Sequence, residues 1–75
     1  MNLNDKTFLR DLGYRIREYR QGRNWTQAEL AEKCDLHRTF IGSVERGERN
    51  LSILNLRVIA RVLRVSLAVL LQDLN

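Results

Sequence analysis

Arg38, Thr39, Ser43 and Arg46 crowd into one short segment, HRTFIGSVER, whose spacing otherwise reads as a helix. Counting about 100° per residue with Arg38 at zero, Phe40, Ile41 and Val44 fall at roughly 200°, 300° and 240°. Those three make an apolar face. Arg38, Thr39, Gly42, Ser43 and Arg46 fall between roughly 0° and 140° and look the other way. An ordinary solvated helix face carries Glu, Lys and Gln and avoids glycine. This one is short, basic and glycine-centred, which permits close approach to something. An arginine fork can grip a guanine edge or a phosphate, and Thr and Ser can bond base edges in a major groove. Base readout is one reading of this face; a plain exposed surface is the other.

The elements that must position this segment are also helical. Phe8, Leu12, Ile16 and Tyr19 mark one face of a first helix from about Lys6 to Gln21, ended by Gly22 and the Asn24 region. Thr26, with Glu29 three residues on, is a capping box. It opens a second helix, Gln27 to about Cys34, that turns Leu30, Ala31 and Cys34 inward. Cys34-Asp35-Leu36 makes a tight turn, and the third helix runs from about His37 to Arg46, stopped by Gly47. Ser52 caps a fourth helix, Ile53 to Leu63, and Ser66 caps a fifth, Leu67 to about Asp73. The expected fold is therefore all-α, five short helices in a single domain over residues 1–75. A turn of roughly three residues between helices two and three sets them at a steep angle, as a helix-turn-helix.

Composition narrows the chemistry. Lys plus Arg is 13 against 9 Asp plus Glu, a net charge of +4 that suits an anionic partner. Eleven of those cations are arginine, which raises the case for nucleic acid without establishing it. The lone Cys34 excludes an internal disulfide, and with the lone His37 it cannot supply four metal ligands. No metal and no cofactor are expected. No paired cysteine, second histidine or glycine-rich phosphate loop is present, so the chain reads as a binding protein and not an enzyme. The opening MNLNDKTF lacks an apolar signal core, and LAVLL is too short to span a bilayer. With a free cysteine, that points to the cytoplasm and away from membranes. Trp25 stands alone, which favours packing over a stacking platform for single strands.

The stretch TQAELAEKCDLHRTFIGSVERGERN resembles the helix-turn-helix of the phage repressor and Cro-like (XRE) DNA-binding family. Thr26, Gln27, Glu29, Leu30 and Ala31 carry the likeness in the second helix, and Ile41, Val44, Glu45, Arg46 and Gly47 in the third. LGYRIREYRQGRNW and SILNLRVIARVLRVSLAVLL extend it from about Leu9 to Leu71. The resemblance implies a regulator of double-stranded DNA whose third helix lies in the major groove. It makes Arg38, Thr39 and Ser43 base-reading positions, Arg38 for a guanine and Thr39 for a thymine methyl or a base edge. Arg46, at the far end, touches base or phosphate. Gln27 sits where free N–H groups at a helix start suit a phosphate. Arg49, Asn50 and Ser52, before the fourth helix, are the next phosphate contacts, and His37 is a cap or phosphate-facing residue. The family also pairs an arginine late in helix one with a glutamate late in helix three, here Arg20 and Glu45.

The tail ERGERN in so short a chain is similar to the controller proteins of restriction–modification systems, small dimeric regulators of their own operon, with RNA polymerase a candidate further partner. Two positions depart from the family. Leu51 stands where proline is common, and Arg64 where glycine is common. Arg64 must then take a left-handed conformation, at a cost of about 1 kcal/mol.

An excess of apolar residues bears on assembly. Leu56, Ile59, Ala60 and Leu63 make the core face of the fourth helix, while Leu54, Val58 and Val62 form a second stripe opposite. With Leu67 and Val69 of the fifth helix, that stripe is expected to form a two-fold homodimer on a pseudo-palindromic operator, unless the fifth helix folds over it. The rival function is a protein-interaction module, an antitoxin or anti-repressor on the same fold. A polar, basic third-helix face argues against it, because such interfaces need buried anchors.

Overall fold

The computed structural model describes residues 2–74, in which five helices follow one another: α1 (Leu3–Gly22), α2 (Gln27–Cys34), α3 (Arg38–Glu45), α4 (Ile53–Leu63) and α5 (Leu67–Leu71). The helix α1 begins three residues before the expected Lys6. Asn2 caps it, its side chain accepting the Asp5 N–H at 2.8 Å. The apolar period could not reveal this turn, because residues 3–6 are exposed. At the other end α5 stops at Leu71, two residues short of the expected Asp73. The expected third helix is trimmed at both ends, with His37 its N-cap and Arg46 its C-cap.

The capping box of α2 is closed. Thr26 Oγ1 accepts the Glu29 N–H at 3.1 Å, and Glu29 Oε1 accepts the Thr26 N–H at 2.8 Å. These bonds hold the Glu29 carboxyl below its ordinary range. Asp35, at φ 55°, turns the chain through a left-handed residue into α3. Arg64 takes the left-handed conformation expected of it, at φ 62°, and ends α4.

One apolar cluster joins all five helices. Ile16, Leu30, Ile41, Ile59, Leu63 and Leu70 are its fully buried large side chains. Each contributes about 1.5–3 kcal/mol from burial. The inward set of α2 (Leu30, Ala31, Cys34) and the core face of α4 are buried as expected.

Two glycines let α1 and α3 meet backbone to backbone. A Cβ on Gly13 would stand 2.3 Å from the Val44 carbonyl oxygen and 2.7 Å from that of Glu45. Gly47, at φ 74°, presses in the same way on the backbone of Arg10. Two arginines of α1 and its C-cap, Arg23, then tie it to three other helices. Arg15 donates to the carbonyls of Leu70, at 3.0 Å, and of Gln72, at the end of α5. Arg20 pairs with Glu45 of α3, and Arg23 donates to the Leu63 carbonyl that ends α4. So part of the arginine excess is structural: cations here satisfy the orphan carbonyls of helix ends.

Candidate nucleic-acid interface

Helix α3 is held from behind by a buried polar cluster. Arg20 Nε and Nη2 donate to the two Glu45 carboxylate oxygens at 2.7 and 3.0 Å, a two-pronged pair. The side chains are only 10% and 3% exposed. Arg20 Nη1 also donates to the Trp25 carbonyl at 2.8 Å, and Gln27 Nε2 to Glu45 Oε1 at 3.1 Å. Among the described residues no buried side-chain polar atom lacks a hydrogen bond. The cluster therefore ties the end of α1, the start of α2 and the end of α3 into one rigid unit. Gln27 is bound into it, half-buried, with its amide against Gly42.

In front of this cluster Arg38, Thr39 and Arg46 are exposed. They line a shallow groove with Thr26, Gln27, Ala28 and Gly42. Gly42 forms its floor: a Cβ there would crowd Arg46 Nη1 at 3.2 Å and Gln27 Oε1 at 3.4 Å. Arg46 also pairs with Glu48 at 3.1 Å, an exposed contact worth under about 1 kcal/mol that a phosphate can displace. His37 caps α3, its Nδ1 accepting the Thr39 N–H at 3.1 Å, which leaves Nε2–H as its donor.

Ser43 must be withdrawn from the base-reading set. It is buried, and its hydroxyl donates to the Phe40 carbonyl at 2.7 Å while accepting from Arg49 Nε at 3.5 Å. Arg49 lies across the Phe40 ring, 5.2 Å from its centre, and closes off that flank of α3. The outward face is thus narrower than the helical wheel implies. Arg49, Asn50 and Ser52 remain exposed beyond it, with Ser52 capping α4 through the Asn55 N–H at 3.1 Å.

On the expected dimer stripe, Leu54 is 62% exposed, and Ile53, which the periodicity left out, is 63% exposed beside it. Helix α5 packs on α1 and α4 through Leu70 and leaves this pair open. Val58, Leu67 and Val69 are half-buried. Val62 departs from the stripe: it lines a hollow ringed by Arg23, Lys33, Arg61 and Arg64, where two like-charged copies would repel. Among the described residues no group of three or more His, Cys, Asp or Glu is placed to hold a metal ion. No helix there is long and apolar enough to cross a membrane.

A short helix seated by a tight turn, braced from behind and offering arginine and threonine outward, defines a helix-turn-helix DNA-binding domain. The chain belongs to the XRE-type helix-turn-helix family, whose sequence model matches residues 16–70. It is 47% identical over 60 residues to control protein C.SmaI of Serratia marcescens, covering 80% of this chain and 71% of that one. To control protein C.BamHI of Bacillus amyloliquefaciens it is 44% identical over 54 residues, covering 71% and 67%. The fold is similar to the restriction–modification controller protein C.AhdI from Aeromonas hydrophila, at TM-score 0.76, 38% identity and coverage of 77% and 88%. It is also similar to the C.Esp1396I controller tetramer in complex with its 35 base-pair operator, at TM-score 0.79, 37% identity and coverage of 89% and 88%.

Proposed function

We propose that this protein is a sequence-specific regulator of transcription that binds double-stranded DNA through α3 and acts as the controller of a restriction–modification operon, its own gene included. The observation that carries this reading is the orientation of α3. A buried, fully bonded pair fixes the helix from behind, while Arg38, Thr39 and Arg46 stand exposed in front. A rigid helix with few outward side chains is what base readout needs, since misplaced donors lose their geometry. Similarity to control proteins over most of the chain supports the controller role.

Arg38 and Thr39 read base edges and Arg46 reads base or phosphate. Gln27, His37, Arg49, Asn50 and Ser52 hold the backbone on either side. Two copies associate through Leu54, Val58, Leu67 and Val69, which sets two α3 helices about one DNA turn apart, roughly 34 Å, on a pseudo-palindromic site. The protein works in the cytoplasm as a binding protein without catalysis, and RNA polymerase at the regulated promoter is its second partner. Footprinting on the DNA upstream of its own gene tests the reading. Protection of two symmetric half-sites is expected; uniform, sequence-independent protection would overturn it.

A further inference from the structure

The hollow that holds Val62 is ringed by positive charge. Arg23, Trp25, Lys33, Arg61, Val62 and Arg64 line it, and no carboxylate is among them. The four cations are exposed, and the ion pairs among the described residues, Arg20–Glu45 and Arg46–Glu48, include none of them. Two of them are set against the indole of Trp25: Lys33 Nζ lies 4.8 Å and the Arg23 guanidinium 5.7 Å from its ring centre. That stacking holds positive charge in place around a partly buried aromatic, with Val62 as an apolar floor.

This hollow is separate from the groove on α3; the two share no residue. At about 100° per residue, Lys33 lies roughly 140° round α2 from Ala28, which lines the α3 groove. A duplex seated on Arg38, Thr39 and Arg46 lies against one flank of α2 and leaves the other open. A second copy of this chain is a poor occupant, because the hollow would bring its cations against their equals. What it complements is negative charge with an apolar side chain attached. Trp and Arg are also the residues that carry most binding energy where proteins meet.

We propose that this hollow docks an acidic protein segment carrying an apolar side chain, and that it does so while α3 holds DNA. The docking stands on the hollow alone; only its simultaneity with DNA rests on the function proposed above. Trp25 is the one tryptophan of the chain, so its emission reports the hollow directly.

The probe is a short synthetic peptide of aspartate and glutamate around a single leucine. It is titrated into the free protein and into protein saturated with operator duplex. A saturable change in emission is expected in both cases. The variant Lys33→Gln/Arg61→Gln should bind the peptide about tenfold or more weakly. It should stay folded, with a Tm lower by no more than about 8 °C for the lost contact of Lys33 with Trp25 and the lost helix-end charges. Its operator affinity should stay unchanged, since both side chains are exposed and belong to no ion pair. Replacing the peptide's leucine with serine should weaken it further. The proposal is overturned by no saturable response, by equal binding to the double variant, or by equal binding of the serine peptide. The first of these leaves the cations serving only the helix ends on which they sit. Loss of the response once duplex is bound also overturns it, and would assign the hollow to flanking DNA. If the protein bound no operator, the function proposed above would fail, while the titration of free protein would still decide the docking.

Discussion

Removing Arg20 should unfold much of what α3 depends on. In Arg20→Met, Glu45 stays in its buried position and loses contacts of 2.7 and 3.0 Å, keeping only the Gln27 amide at 3.1 Å. The Trp25 carbonyl loses its donor as well. A stranded buried charge costs about 3–5 kcal/mol. A domain of 75 residues has only about 4–11 kcal/mol in total, at about 0.05–0.15 kcal/mol per residue. The variant should therefore lose about a quarter or more of its stability, and at about 4–8 °C per kcal/mol its Tm should fall by more than about 12 °C. Replacing both charges, as in Arg20→Met/Glu45→Leu, strands no charge, leaves only the Trp25 carbonyl and the Gln27 amide short of a partner, and should restore much of the loss. Urea melts at one fixed protein concentration measure all three chains, because association would otherwise shift the midpoint. A loss in Arg20→Met below about 1 kcal/mol, the value of an exposed pair, would refute the reasoning. So would a double variant no more stable than the single one. The restored double variant should still bind operator more weakly, since nothing then orients Gln27 and α3 together.

Gly13→Ala places a methyl 2.3 Å from a backbone oxygen and should cost at least about 1–3 kcal/mol in a thermal melt, although alanine is the better helix former. Arg38→Ala should lose about 1–3 kcal/mol at one base pair only, whereas Arg49→Ala should weaken every sequence alike and reduce the salt slope by about one; binding isotherms on substituted operators at several salt concentrations separate them. Leu54→Asp, at a side chain 62% exposed, should leave the fold intact and yield monomers in analytical ultracentrifugation, with much weaker operator binding. Burial pushes the Cys34 thiol up to about 11, so a thiol reagent near neutral pH should label it only as fast as the protein opens. Because the folded thiol holds its proton more tightly than the unfolded one, its share of stability is complete near neutrality and is lost as pH rises toward about 11.

Local signals were the ones a sequence could carry. The capping box of Thr26 and Glu29, the outward turn of Arg38 and Thr39 and the left-handed Arg64 each depend on residues a few places apart. Ser43 was misplaced because a helical wheel knows only one helix. What covers Ser43 is Arg49, from the loop beyond, lying on Phe40. Arg15 and Arg23 look like surface cations in sequence, yet their carbonyl partners lie 55 and 40 residues away. Gly13 reads as a weak point in a helix until α3 is seen pressing on it. Contacts across such separations leave no periodic trace, so the charge excess looked like DNA affinity when part of it was carpentry.

The grip of Arg15 on α5 makes that helix conditional. A five-residue helix is far below the length at which a helix persists alone in water. It is held by Leu70 in the core and by a guanidinium from the opposite end of the sequence. Until α1 and α4 are in place α5 has nothing to hold it, and a nicked or misfolded copy cannot complete it at all. Since Leu67 and Val69 belong to the surface we propose for pairing, self-association becomes an inspection step. Only correctly closed molecules can present that surface, and so only they would reach the operator as pairs.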